Sequence, residues 1–174
     1  MAPTLRGEAV QLRPATTDDV DVLVRMLATP EVSRWWEGYD EERVRDELLD
    51  DGDGGSYVIV ADDGGPDPIG FIQYYEQDDP DYRHAGIDLF VDPSHQGHGH
   101  ARDAILTLAR HLVTDLGHHR IVIDPPVGNE RAIAVYRSVG FRDVGVMRRY
   151  ERRADGTWGD NLLLDLLAED LPGA

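Results

Sequence analysis

Residues 86–116 read GIDLFVDPSHQGHGHARDAILTLARHLVTDL, and this stretch decides the fold. Gly86 to Val91 is an apolar run of strand length, broken by one acid, Asp88. Gln96-Gly97-His98-Gly99-His100-Ala101 is a polar turn with two glycines two residues apart. Behind it, Ala101, Ile105, Leu108, Ala109, Leu112 and Leu116 share one face of a helix predicted from Gly99 to Leu116, and Gly117 supplies its stop. Strand, glycine turn and long helix in this order suit a phosphate. Glycines let the backbone come close to a ligand, and the helix start offers unpaired N–H groups and the positive end of its dipole.

The flanking segments place themselves around this unit. Val10 to Arg13 alternates as a short strand ended by Pro14. Thr16-Thr17-Asp18-Asp19 opens a helix over about 18–28, with Val20, Leu23, Val24 and Leu27 at helical spacing. A short helix is predicted from Glu31 to Trp36 and a further one from Asp40 to Leu49. Asp50 to Gly55 lacks the ligand spacing and terminal Glu of a calcium loop and reads as a turn. Ser56–Ala61 and Pro68–Tyr75 form a hairpin, and Glu76 to Arg83 an acidic loop that reads as a flap. Then come strand Ala85–Val91, the long helix, strand Arg120–Asp124, and a helix over 130–139 capped by Asn129 and closed by Gly140. Two last strands, Arg142–Tyr150 and Trp158–Leu166, end the chain. The order is an α+β plan, read as one domain over residues 1–174.

Charge is the strongest compositional signal. Asp and Glu total 34 against 17 Lys and Arg, a formal net charge of −17. Such a field repels nucleic acid and anionic membranes and attracts cations, so neither is expected as a partner. It fits a cationic substrate, and it equally fits a composition selected for solubility or salt. There is no cysteine, which excludes disulfides, thiolate metal sites and a cysteinyl acyl-enzyme. No apolar run approaches the roughly 20 residues of a membrane span. No signal-peptide core opens the chain, and the expected location is cytoplasmic. His95, His98 and His100 lack an evident carboxylate or thiolate partner, so no metal is expected. His118-His119 are expected to sit against the dipole at the helix end.

Four features are candidates for chemistry. Asp88 is a carboxylate in an apolar strand; it either faces solvent by alternation or is buried with a partner or a task. Trp35-Trp36-Glu37-Gly38-Tyr39 is either an aromatic plug between helices or a wall that meets an amine through ring faces. Asp124 follows a β-branched strand and either caps the next turn or faces a ligand. Tyr136 lies on the helix after Asn129, with Ile133 and Gly140 at helical spacing, as a core aromatic would.

Taken together, Gln96-Gly97-His98-Gly99-His100-Ala101 and Asn129 through Phe141 (NERAIAVYRSVGF) resemble two motifs of the GCN5-related N-acetyltransferase (GNAT) superfamily. Leu12-Arg13-Pro14-Ala15-Thr16 is similar to its usual opening. Within the superfamily the likeness is to aminoglycoside 6'-N-acetyltransferases, through VSRWWEG (32–38), PIGFIQY (68–74), Gly86-Ile87-Asp88 and Asp124-Pro125. The resemblance implies the GNAT fold: a mixed, mostly antiparallel sheet splayed after the predicted fourth strand (85–91), with flanking helices. It implies acetyl-CoA as donor, with pyrophosphate on the turn (Gln96, Gly97, His98, Gly99, His100, Ala101, Arg102). Pantetheine would lie on the strand (Leu89, Phe90, Val91), and Asn129, Ala132 and Tyr136 would complete the donor site. It implies Asp88 as the group that takes the amine's proton and Tyr136 as the acid for the leaving thiolate. Trp35, Trp36, Glu37, Tyr74, Asp79, Asp88 and Asp124 would contact a cationic acceptor, an aminoglycoside.

The expected function is therefore acetyl transfer to an aminoglycoside 6'-amine, an antibiotic-resistance activity, by direct transfer in a ternary complex and by a monomer or homodimer. Transfer to another amine (siderophore lysine, polyamine or peptide) and a non-catalytic CoA- or cation-binding module are the alternatives. The chain departs from the aminoglycoside enzymes in a shorter flap without tryptophans, and from the superfamily in having His98 and His100 in the turn.

Overall fold

The computed structural model describes residues 2–49, 52, 54–63 and 65–173. Among them eight strands form one sheet: β1 (Leu5–Arg6), β2 (Val10–Pro14), β3 (Gly54–Ala61), β4 (Pro68–Gln77), β5 (His84–Val91), β6 (Arg120–Ile123), β7 (Arg142–Arg152) and β8 (Trp158–Leu167). Their order across the sheet is β1-β2-β3-β4-β5-β6-β8-β7. The helices are α1 (Val20–Leu27), α2 (Pro30–Ser33), α3 (Glu41–Arg43, running into a π-turn over Val44–Leu48), α4 (His100–Thr114) and α5 (Glu130–Val139). β1 is the one strand not expected from sequence; two residues carry no readable alternation. Of the turn expected at Asp50 to Gly55, residues 50, 51 and 53 lie outside the described residues, and Gly54 and Gly55 already belong to β3.

Strand alternation gives the sheet two apolar faces. Leu12, Ile59, Ile72, Ile87 and Ile121 meet Ile105, Leu108 and Leu112 of α4 and Ile133 of α5 on one face. Val58, Phe71 and Phe90 meet Leu23 and Leu27 of α1 and Val44 on the other. Neighbouring strands run antiparallel except β5 and β6. Those two pair in parallel at Ala85–Ile121 and Gly86–Val122, with no pairing beyond. The sheet therefore parts beside β5, as expected, and the β5 backbone from Ile87 to Leu89 keeps a free edge there. A Cβ on Gly86 would run into the Tyr75 ring, so a glycine stands where the opening begins. No described helix is long and apolar enough to cross a membrane.

Local polar contacts fix the frame. Thr16 and Asp19 form a capping box at the start of α1, and Arg13 grips the Asp19 carboxylate at 2.7 and 3.1 Å. Asp103, in the first turn of α4, accepts the N–H groups of Glu8, Ala9 and Val10 at 3.2, 2.7 and 3.0 Å. It ties the β1–β2 turn to the helix that bears the glycine loop. Asp103→Ala strips those amides of their acceptor and is expected to cost about 2 kcal/mol. At this chain length that lowers Tm by roughly 5 °C in thermal unfolding; an unchanged Tm contradicts the tie.

The expectation for His118 is corrected. Its ring is buried, and Nε2 lies 2.6 Å from Glu76 Oε2, so it joins the α4–β6 loop to β4 rather than meeting the helix dipole. Arg83 donates to the carbonyls of Leu116 and Gly117, both at 2.9 Å. The acidic loop is thus fastened to the C-terminal end of α4.

Candidate active site

Two clefts, each of about 700 Å³, open on either side of the parted sheet. They share Trp35, Trp36, Leu89, Asn129 and Tyr136 as walls, so their contents can meet there.

One cleft is built of backbone amides. Gly97 and Gly99 have φ of 83° and 85°, the left-handed region that glycine adopts at little cost. This conformation turns the loop onto the N-terminus of α4. None of the six consecutive N–H groups from Gly97 to Arg102 has a protein acceptor among the described residues. Gln96 donates through Nε2 to the Val91 carbonyl at 2.8 Å and pins the turn to β5. Asn129 caps α5 by accepting from the Ala132 N–H at 3.3 Å. Gly97, Gly99, His100, Ala101, Arg102 and Ala132 line this cleft; the His98 side chain does not, and its ring stacks on His100 with centroids 5.8 Å apart. Orphan N–H groups on a helix start, without a lysine, fit the diphosphate of a nucleotide-type ligand. Among the described residues no group of three or more His, Asp or Glu is placed to hold a metal ion.

The other cleft is acidic and aromatic. On β5, Ile87 turns to the α4 core while Asp88 turns into the cleft. Gln73, opposite Asp88 on β4, hydrogen-bonds its carboxylate. Asp124 enters from the end of β6, with Tyr150 and Asn161 side chains bonded to it. Burial raises the Asp88 pKa, Glu151 raises it further, and the Gln73 bond offsets part of this. Asp124 is pushed up to about 6, first by burial and then by the charges of Asp88 and Glu151. Burial, with Asp88 and Asp124 adding, also raises the Tyr136 hydroxyl, which keeps its proton and can only donate at neutral pH. Asp88 and Asp124 together favour a cation; Glu151 is already paired with Arg153 at 3.1 Å, and Arg43 and Arg152 also line the cleft.

The roof is aromatic. Trp36 packs on Phe90 and Tyr39, with ring centroids at 5.1 and 5.6 Å, and Trp35 stands between the clefts under the Arg34 guanidinium. Phe90 also stacks on Phe71, so its side chain is core; Val91 is likewise buried. The Glu37 carboxylate accepts the Ala154 N–H at 2.7 Å, which closes the Trp35–Tyr39 loop onto the β7–β8 hairpin.

Two expected acceptor contacts are placed elsewhere. Tyr74 packs toward the α4 side of the sheet, because Gln73 and Tyr75 hold the cleft-facing parity on β4. Asp79 lies outside the cleft and accepts the Asp81 N–H at 2.9 Å within the fastened loop. Among the cleft residues that went unread are Gln73, Tyr75, Tyr150, Glu151 and Asn161. Gln73 and Tyr75 needed only the register of β4 against Asp88. Tyr150 and Glu151 face the cleft through a break in the β7–β8 register between Met147 and Glu151, where Arg149 has φ of 50°. A strict two-residue alternation does not anticipate that break.

The comparisons agree with this geometry. The family described as "Acetyltransferase (GNAT) domain" matches residues 10–142. The chain is 36% identical to the N-alpha-acetyltransferase RimI of Mycobacterium tuberculosis over 73 residues, 42% of this chain and 44% of that protein. It is 28% identical to the aminoglycoside N(6')-acetyltransferase type 1 of Klebsiella pneumoniae over 164 residues, 83% of this chain and 79% of that one. The structure of Mycobacterium smegmatis RimJ in complex with CoA-disulfide superposes with a TM-score of 0.78 at 27% identity, covering 99% of this chain and 89% of that one. With the sheet parted beside β5 and bare amides at the start of α4, these matches give one conclusion: the chain belongs to the GNAT family of acetyltransferases.

Proposed function

We propose that this acetyltransferase moves acetyl from acetyl-CoA to the 6'-amine of an aminoglycoside, in one step within a ternary complex. The observation that carries the reading is the acidic cleft itself, with Asp88, Asp124 and Glu151 behind a tryptophan wall shared with the amide cleft. Acetyl-CoA, when bound, supplies an acetyl thioester. The amides of Gly97 to Arg102 hold its diphosphate, and the free edge of β5 holds the pantetheine amides, as an added strand would. The ammonium of the acceptor sits on Asp88, which takes its proton so that the neutral nitrogen can attack. A carboxylate with a raised pKa is a stronger base for this step than an exposed one. Tyr136 keeps its phenolic proton and donates it toward the departing sulfur. Trp35 and Trp36 pack on sugar rings, and Asp124 meets a further ammonium. Glu37 shapes this wall, its carboxylate being engaged by Ala154.

The 28% identity to an aminoglycoside enzyme over most of the chain supports this acceptor. The 36% identity to RimI over the shorter stretch favours a second reading, an N-terminal or other amine. Thiol release from acetyl-CoA, followed with kanamycin, spermidine, N-hydroxylysine and a short peptide with a free N-terminus, separates them. The proposal expects kcat/KM for kanamycin at least about tenfold above the other three, a difference of about 1.4 kcal/mol. Preference for any of the other three overturns the acceptor, and CoA binding without turnover of any of the four makes the chain a binding module.

A further inference from the structure

The two clefts meet at walls formed by Trp35, Trp36, Leu89, Asn129 and Tyr136, and any group passed from one ligand to the other crosses that junction. The room at the junction therefore limits the size of the group. Its α5 side is fixed: Tyr136 is buried, and Asn129 is engaged by the Ala132 N–H. Leu89 is set by the β4–β5 ladder, opposite Ile72. The tryptophan roof is the side that remains, and its two indoles are held differently.

Trp36 is braced from behind. Phe71 of β4 and Phe90 of β5 are buried and stack with centroids 5.7 Å apart. The Trp36 ring meets Phe90 at 71° and 5.1 Å, and Tyr39 at 5.6 Å. The Arg43 guanidinium lies 4.1 Å from the Tyr39 centroid, and Arg43 is itself held by Glu47 at 2.8 Å and by the Glu37 carbonyl at 2.7 Å. One row of contacts thus runs from the sheet through the indole to α3. An indole packed in such a row does not yield without displacing its neighbours. Trp35 stacks on no other ring among the described residues, and the guanidinium of exposed Arg34 covers its face at 4.8 Å.

We infer that Trp36 sets the length of the acyl group this enzyme takes: braced by Phe90 and Tyr39, the indole bounds the junction at the size of acetyl and turns longer acyl chains away. The chemistry is the same for any chain length. The C–S bond breaks, the C–N bond forms, the ammonium proton goes to Asp88 and the sulfur receives the Tyr136 proton. Only bulk at the junction distinguishes a butyryl from an acetyl donor, so a rigid wall there is the element that discriminates. The inference rests on the reading that an acyl-CoA lies in the amide cleft with its thioester at the junction, and it is independent of which amine accepts.

Calorimetric titration with CoA, S-ethyl-CoA and S-butyl-CoA tests it without turnover, because the thioethers match acetyl and butyryl in length and cannot transfer. The wild-type protein is expected to bind S-butyl-CoA at least about tenfold more weakly than S-ethyl-CoA. Trp36→Leu opens the wall and is expected to bring S-butyl-CoA within about threefold of S-ethyl-CoA, with the affinities for CoA and S-ethyl-CoA unchanged. Trp36→Phe keeps a ring against Phe90 and Tyr39, and it is expected to shift the ratio the same way by less; it decides the matter where Trp36→Leu does not fold. Equal binding of the two thioethers by the wild type overturns the sieve. So does a ratio that the folded variants leave unchanged, or a loss of affinity shared equally by all three ligands. Absence of binding by CoA itself overturns the donor reading, and the sieve with it.

Discussion

Asp88→Asn is expected to lower kcat/KM for kanamycin about a thousandfold, within the range for removing a general base, while leaving the affinity for acetyl-CoA unchanged. The amide is isosteric and can still bond Gln73, so the strand and the cleft wall persist. What it lacks is a site for the proton of the incoming ammonium. The same change is expected to raise Tm at pH 8. Asp88 is raised above the ordinary 3.8 by burial and by Glu151, and Asp124 is raised to about 6 by burial and by the charges of Asp88 and Glu151.

A carboxylate raised on folding contributes stability that is complete below its unfolded pKa and is lost as pH climbs through the folded one. At pH 8 the wild-type protein therefore bears the cost of a carboxyl group buried beside Glu151, and the asparagine relieves it. The gain in Tm should shrink as pH falls through 6, where Asp124 takes up its proton, and vanish near 4. Thermal unfolding at several pH values beside steady-state rates checks both parts. Residual activity within tenfold of wild type removes Asp88 from the chemistry, and a lower Tm at pH 8 removes the electrostatic account.

The second large effect belongs to the donor side. Gly99→Val is expected to raise KM for acetyl-CoA by roughly 50-fold or more, with a smaller change in kcat. Gly99 has φ of 85°, a conformation that costs an L-residue on the order of 1–2 kcal/mol and a β-branched one more. Among the described residues nothing lies within 4 Å of the place its Cβ would take, so the substitution meets no wall there. The loop instead relaxes away from the left-handed turn, and the amides from Gly97 to Arg102 lose their common aim. Calorimetric titration with CoA, read beside Tm, distinguishes this from unfolding. Unchanged CoA affinity in a folded Gly99→Val protein contradicts an amide cradle.

Much of this was legible in the sequence, for physical reasons that also explain the rest. Strands β2 to β8 and helices α1, α4 and α5 follow from apolar periodicity punctuated by Pro14, Gly117 and Gly140. The turn at Gln96 to Ala101 was legible because only glycine serves where the backbone must turn left-handed beside a ligand. Asp88 was legible as a lone acid in an apolar strand.

Which neighbour on β4 accompanies it was not. Tyr74 and Tyr75 are adjacent tyrosines, and only the pairing of Gln73 with Asp88 decides that Tyr75 faces the cleft. Glu151 and Tyr150 were hidden by the β7 register break, a tertiary feature that alternation does not encode. His118 was misplaced because its partner Glu76 is 42 residues distant, and no local rule joins them. Asp79 followed an acidic run whose loop Arg83 ties away from the cleft.

The central claim is that the two clefts meet so that one particular amine of an amino sugar reaches the thioester. The position of the acetyl group on the product tests it most directly. Kanamycin incubated with acetyl-CoA and the wild-type protein, then purified and examined by two-dimensional NMR, should carry a single acetyl group on the 6'-nitrogen. An acetyl group on any other nitrogen, or unmodified kanamycin beside acetylated spermidine or N-hydroxylysine from parallel reactions, contradicts it.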